Sequence, residues 1–363
     1  MMRAGFIFIL LVFFGLVAYV TWHLWRITPG GWGAKSIVSG LFLLWMAAAF
    51  SSMLLRSRLP YPAVIALYEA GQPWLIAFAY LAIAFVVADI ATLCRILPKS
   101  VLTGNLAGLL SIVGVVALVM VAGGIHYKHK YREELTIQTE KTLEQQHMTI
   151  VLASDLHIGY SNRKAELGRW IDLINAEHPD LVLFGGDIVD IATEPLVEGN
   201  YAEVFHRLNA PAYAVLGNHE YIAGADASEH FLSEAGITVL KNTVAHFKGI
   251  DIIGRDDRSN PCRPALWEFA DSLSGFTLLL DHQPSHLEEA AEAGIDFQFS
   301  GHTHRGQAWP LSWVTDALFE KSWGPYQKGG TRYYISSGLG IWGPKIRIGT
   351  RSEYLVLHLE GKK

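Results

Sequence analysis

The sequence predicts an α/β domain carried behind four membrane-spanning helices. Three observations predict it. Four long apolar stretches crowd the first third of the chain, charge divides sharply between that part and the rest, and beyond residue 147 short apolar runs alternate with helical spacing. Of the 363 residues, 51% are hydrophobic and 17% charged, with a mean hydropathy of +0.24. So few charges on so apolar a chain put part of it in lipid. Residues 1–125 hold seven basic side chains and two acidic ones, Glu69 and Asp89; the remainder holds 22 basic and 32 acidic.

The apolar stretches, residues 6–25, 36–55, 74–93 and 105–124, each match the roughly 20 residues that a helix needs to cross a bilayer. Pro29-Gly30-Gly31, Pro60-Tyr61-Pro62 and Leu97-Pro98-Lys99 punctuate them. Trp22, Trp25, Trp32 and Trp74 sit near their ends, as interfacial aromatics do. Four buried helices of a soluble protein would need polar faces that these stretches lack. The first is too long for a signal h-region, has no small-residue cleavage site and is followed by three more, so it reads as a retained anchor.

Four crossings bring both ends of this region to one side. Loops there carry Arg3, Arg56, Arg58, Lys128, Lys130 and Arg132, against Arg26, Lys35, Arg95 and Lys99 opposite. The excess favours a cytoplasmic N-terminus and a cytoplasmic place for the domain that follows the spans. Asp89 is the only acidic residue inside a predicted span, and His23, at the same end of the first span, is its expected partner.

Residues 126–147 read as a charged connector and 148–363 as the catalytic domain. Runs at 149–154, 181–184, 213–216, 277–280 and 296–300 have strand character, and 163–177 and 227–235 have helical spacing. The acidic balance and the lack of a basic run after Arg132 argue against nucleic acid as partner. Cys94 and Cys262 form no spaced pair, which excludes a disulfide scaffold and a thiolate metal site.

Each strand run ends in a polar cluster. These are Ser154-Asp155-Leu156-His157, Gly185-Gly186-Asp187-Ile188-Val189-Asp190, Gly217-Asn218-His219-Glu220, Asp281-His282-Gln283-Pro284 and Gly301-His302-Thr303-His304-Arg305. Any one alone would be an ordinary turn or a solvated pair. Five in order, each where the chain leaves a sheet, are not coincidence. Carboxylate, amide and imidazole donors without thiols suit Mn, Fe, Zn or Co. In extended chain, residues i and i+2 face one way, so Asp-x-His and His-x-His are expected to converge by strand alternation.

These clusters resemble the pattern of the calcineurin-like metallophosphoesterases: D-x-H, G-D-x-x-D, G-N-H-[DE], a later His, and G-H-x-H. The resemblance covers residues 148–363. The tail Ser336-Ser337-Gly338-Leu339-Gly340 with Arg347 and Glu353 is similar to a bacterial membrane-associated phosphodiesterase subgroup. The resemblance implies a four-layer αββα sandwich with two divalent metal ions. Asp155, His157, Asp187 and His304 would hold one ion; Asp187 would bridge to a second, completed by Asn218, His282 and His302. His219 would be the catalytic histidine, protonating the leaving oxygen or stabilising transition-state charge while a bridging hydroxide attacks phosphorus. Asp190 and Glu220 would support the ligands. Arg305 stands where glycine is common in the family; its guanidinium either grips a phosphate oxygen or is solvated.

Past the last motif lie Trp309, Trp313, Leu318, Phe319 and Trp323. They form either a flap packed on the domain core or a lip that receives acyl or prenyl chains from the bilayer. Together these readings predict hydrolysis of a phosphodiester or pyrophosphate bond in a lipid-linked substrate. A phosphoprotein phosphatase is the alternative, as is a membrane sensor or transporter regulated by its phosphoesterase domain.

Overall fold

A computed structural model of the protein describes residues 2–56 and 58–361; Met1, Ser57, Lys362 and Lys363 lie outside the described residues. The chain divides into two compact units, Met1–Ile125 and His126–Lys363. Its first helices are α1 (Met2–Ile27), α2 (Trp32–Leu54), α3 (Tyr61–Gly71), α4 (Pro73–Leu93) and α5 (Leu106–Lys128). Among the described residues, four stretches are long and apolar enough to cross a membrane: Ile7–Ile27, Trp32–Leu54, Tyr61–Leu93 and Leu106–Lys128. The segment read as punctuation around Pro60 forms α3. Pro62 causes no break, because a first-turn proline lacks only an N–H that would have no helical partner.

Trp74 and Phe85 are fully buried in the first unit, with Trp74 stacked on Phe78 at 4.8 Å. The expected pair forms: His23 Nε2 lies 3.0 Å from Asp89 Oδ2, and Tyr19 donates to the same oxygen at 2.7 Å. Helices α2 and α3 touch through Gly71, where an added Cβ would sit 2.6 Å from the Ala49 backbone nitrogen. Small residues allow such approaches in lipid. Alanine usually gains about 1 kcal/mol over glycine within a helix. Here overpacking costs about 1–3 kcal/mol, so Gly71→Ala is expected to lower the Tm of the detergent-solubilised protein. A raised Tm would show that the two backbones do not meet.

The second unit opens with β1 (Lys130–Thr139) and β2 (His147–Ala153), then α6 (Lys164–Ala176) and β3 (Leu181–Phe184). Next come α7 (Glu194–Glu198), α8 (Ala202–Phe205), β4 (Ala212–Ala214), α9 (Asn218–Ala223), α10 (Ala225–Glu234) and β5 (Thr238–Val239). The second half holds β6 (Thr243–Phe247), β7 (Ile250–Gly254), β8 (Phe276–Leu280), α11 (Leu287–Glu292) and β9 (Phe297–Ser300). The chain closes with α12 (Leu311–Leu318), β10 (Gly324–Lys328), β11 (Thr331–Ile335) and β12 (Ser352–Gly361).

Twelve strands make two sheets, in the orders β1-β12-β2-β3-β4-β5 and β10-β11-β9-β8-β7-β6. Ile150, Leu152, Leu183, Leu278, Phe297, Phe299 and Leu357, from both sheets, share one buried cluster between them. Trp170 and Ile171 of α6 and Phe231 of α10 cover the outer face of the first sheet. Leu287 and Ala290 of α11 cover the second. The result is the expected αββα sandwich. Much of the segment read as a connector is β1, an edge strand paired in parallel with β12.

Candidate metal centre

Strands β2, β3 and β4 run parallel in one sheet, and β8 and β9 in the other. Their carboxyl ends therefore release five loops to one end of the sandwich, where open α/β sheets place their sites. Backbone hydrogen bonds lock the loops together: Asp155 N–H donates to Gly186 O at 2.9 Å, His157 N–H to Asp187 O at 3.0 Å and Gly301 N–H to His282 O at 2.9 Å. Across the sheets, His302 N–H donates to Asp155 Oδ1 at 3.0 Å. Gly217 passes so close to Asp187 that a Cβ there would lie 2.2 Å from its Oδ1.

The convergence of Asp155 with His157, and of His302 with His304, does not arise from strand alternation. All four, with Asp187, have φ between 45° and 70°. These left-handed residues lie past the strand ends, where the turning backbone rather than the pleat aims each side chain. Such conformations are costly for residues with a Cβ and persist where surrounding structure enforces them, often at functional sites.

Three groups of side chains converge closely enough to hold an ion: Asp155–His157–His304, Asp187–His282–His302, and His157–Asp187–His219. His157 Nε2 and His304 Nε2 stand 3.1 Å apart, and His304 Nε2 is 3.4 Å from Asp155 Oδ1. Asp187 Oδ2 lies 3.2 Å from His282 Nε2 and 3.7 Å from His157 Nε2, between the first two groups. Asn218 Oδ1 is 2.7 Å from His302 Nδ1. All seven expected ligands thus meet.

The donor set fits cations. His282 Nδ1–H donates to Gly185 O at 2.7 Å, which turns Nε2 toward Asp187. That Nε2 is buried and is among the side-chain atoms left without a hydrogen-bond partner. Buried nitrogens aimed at carboxylates and at one another, without ordinary pairing, suit an ion at their meeting point. Burial, then the neighbouring His282 charge, pushes the His302 imidazole down to about 4. Burial and the adjacent His157 hold His304 well below the usual range. Neutral imidazole is the form that ligates metal.

His219 differs. Burial opposes its charge, but the hydrogen bond to Asp190 and the Asp187 and Asp190 charges prevail and raise it to about 9. Its Nδ1–H donates to Asp190 O at 2.7 Å, leaving Nε2 as its other polar atom. The Asp190 carboxylate accepts from Ser161 Oγ at 3.0 Å. Burial would raise it, yet the His157 and His219 imidazoles close to it hold it at about 2. Glu220 gathers the N–H groups of Asp187, Val189 and Gly217 at 2.6–3.0 Å. Arg305 lays its guanidinium over the Trp323 ring at 4.0 Å.

A family model described as calcineurin-like phosphoesterase matches residues 148–306. An uncharacterized metallophosphoesterase of Campylobacter jejuni is 30% identical over 259 residues, 69% of each chain. The chain belongs to the calcineurin-like phosphoesterase family. Another relative, an uncharacterized metallophosphoesterase of Helicobacter pylori, is 33% identical over 58% of this chain and 60% of its own. A cattle transmembrane protein with metallophosphoesterase domain is 30% identical over 59% of this chain and 53% of its own. Among solved structures, a 5'-nucleotidase precursor from Thermus thermophilus aligns at 17% identity and TM-score 0.37, covering 59% of this chain and 54% of that one.

Within this phosphoesterase, two supporting residues have no role assigned by the sequence: Asn162 carries no signal, and Arg347 is read only as part of the tail pattern. Asn162, in an ordinary loop, donates to the carbonyls of Leu156, His157 and Ile341 at 2.7–3.2 Å. Arg347 is almost wholly buried and donates to His304 O, Ser337 O and Gly340 O. Burial lowers it to about 10. Asp281, next to His282, turns away to Arg255 and Arg263.

Proposed function

We propose that the protein hydrolyses a phosphodiester or pyrophosphate bond in a lipid-linked substrate, using two divalent ions held by the seven residues named above. Asp155, His157, Asp187 and His304 serve one ion; Asp187, Asn218, His282 and His302 serve the other. Manganese, iron, zinc or cobalt fits this donor set, and such a pair, when bound, supplies Lewis-acid charge stabilisation and a water of lowered pKa. The protein's own part is to hold the phosphate and move a proton. Water oxygen replaces the ester or anhydride oxygen on phosphorus, and His219 Nε2–H protonates the departing oxygen. Asp190 keeps that imidazole oriented and charged. Arg305, stiffened by Trp323, donates to a phosphate oxygen.

The lipid reading rests on α12. It is not a flap sealed on the core: Trp313 is 65% and Leu318 74% exposed, with Leu311 and Val314 also open. Phe319 directly after it stands 6.1 Å from the His302 ring, so this apolar surface adjoins the metal centre. A chain with four candidate spans works beside a bilayer, in our reading the inner membrane with the catalytic unit cytoplasmic. Replacing Trp313 with Ser is expected to lower kcat/KM on a long-chain substrate by about tenfold or more, from apolar area at about 25 cal/mol per Å². An aryl phosphodiester, which does not use the lip, keeps its rate. Parallel losses on both substrates with a lowered Tm would make α12 an ordinary structural element.

A further inference from the structure

The catalytic unit carries a second cavity, of about 690 Å³, that includes no residue of the metal centre. Tyr127, Lys128, Lys130, Arg169, Trp170 and Leu173 line it, with two carboxylates, Glu166 and Asp172. The acids are already matched. Glu166 accepts from Lys345 Nζ at 2.5 Å and from the Arg163 N–H at 3.0 Å, and Asp172 pairs with Arg207. The cations are not: among the described residues, no carboxylate stands within ion-pair distance of Lys128, Lys130 or Arg169.

Lys130 is the clearest case. Its Nζ donates to Tyr127 O at 2.9 Å and stands 3.7 Å from the Tyr127 ring centre and 5.2 Å from that of Trp170. Only one of its three N–H groups has a conventional acceptor. Burial, then the Arg347 charge, lowers its pKa well below the usual range; Glu166 opposes this, and Lys345 and Arg169 add to it. The cavity is thus short of negative charge.

Its place along the chain says where an anion would come from. Lys128 is the last residue of a 23-residue candidate span, so this cavity begins where the chain leaves the hydrocarbon layer. Leu173, exposed at the rim of the cavity, offers an apolar edge. We propose that the cavity binds the phosphate headgroup of an anionic membrane phospholipid. The Tyr127 hydroxyl donates to Asn162, which bonds the His157 carbonyl. A seated headgroup therefore steadies the loop that carries Asp155 and His157.

Native mass spectrometry of the full-length protein in detergent, with phosphatidylglycerol and phosphatidylcholine in competition, tests this. Each juxtamembrane cation contributes about 1 kcal/mol toward an anionic lipid, so the wild type should retain phosphatidylglycerol about tenfold better or more. Lys128→Gln with Arg169→Gln should lower that preference by about tenfold or more, and Lys128→Arg with Arg169→Lys should keep it. Both side chains are exposed and unpaired, and a melting curve checks the fold. Equal retention by the wild type, or an undiminished preference in the glutamine variant, overturns the proposal. So does displacement of the lipid by equimolar inorganic phosphate or glycerol phosphate, which would make this a site for soluble phosphate.

Discussion

Asp187→Asn is expected to abolish turnover and to remove at least one equivalent of metal from the purified protein. The carboxylate lies between two groups of ligands, with Oδ2 3.2 Å from His282 Nε2 and 3.7 Å from His157 Nε2. Burial alone would raise its pKa, but the adjacent His282 charge, with the His157 and His219 charges, outweighs that and holds it well below the carboxylate range. An amide of the same shape keeps an oxygen for the His219 N–H, which Oδ1 accepts at 2.8 Å. It offers no negative charge to share between two cations. Activity should fall by at least about 10³-fold, the scale lost when one preorganised stabiliser of transition-state charge is removed. The fold should survive, because the substitution removes a buried charge without changing side-chain volume. Full metal occupancy with wild-type rates would refute the bridging role.

His219→Ala is expected to leave the metal content nearly intact and lower kcat by about 10²–10⁴-fold, the reach of general acid–base catalysis. The Asp190 and Asp187 carboxylates raise the imidazole to about 9, and it is tied through Nδ1 to Asp190 O at 2.7 Å. Yet it also belongs to a convergent group with His157 and Asp187, so a ligand role is the competing account. Metal analysis separates the two. Loss of metal, with unchanged activity for each ion that remains, would make His219 a ligand. Loss of kcat at full occupancy makes it the acid.

The candidate centre is legible in the sequence because each cluster combines carboxylate, amide or imidazole donors with a strand end, and strand ends follow from local apolar runs. The route to convergence was not. Asp155 and His157 were expected to point together along an extended chain, whereas both are left-handed; nothing in the residue types announces that conformation. β1 escaped notice for a related reason. Its Lys130, Arg132, Glu133 and Glu134 read as a solvated connector, and charges are common on an edge strand. Its partner β12 lies more than 200 residues later, beyond the reach of any local pattern.

The sequence by itself determined the four apolar helices, the order of the ligand-bearing loops and the donor types that select a divalent cation. Hydrophobic length, strand pattern and ligand chemistry are properties of residues near one another in the chain. Only the tertiary structure decided that Asp187 lies between two candidate ligand groups, that α12 exposes Trp313 while Phe319 after it lies near His302, and that Lys130 lines a cavity without a carboxylate partner. His157 and His304 are 147 residues apart, yet their nitrogens stand at 3.1 Å. That distance exists because two sheets pack face to face and bring their loops to one end, and packing depends on the whole set of buried side chains at once.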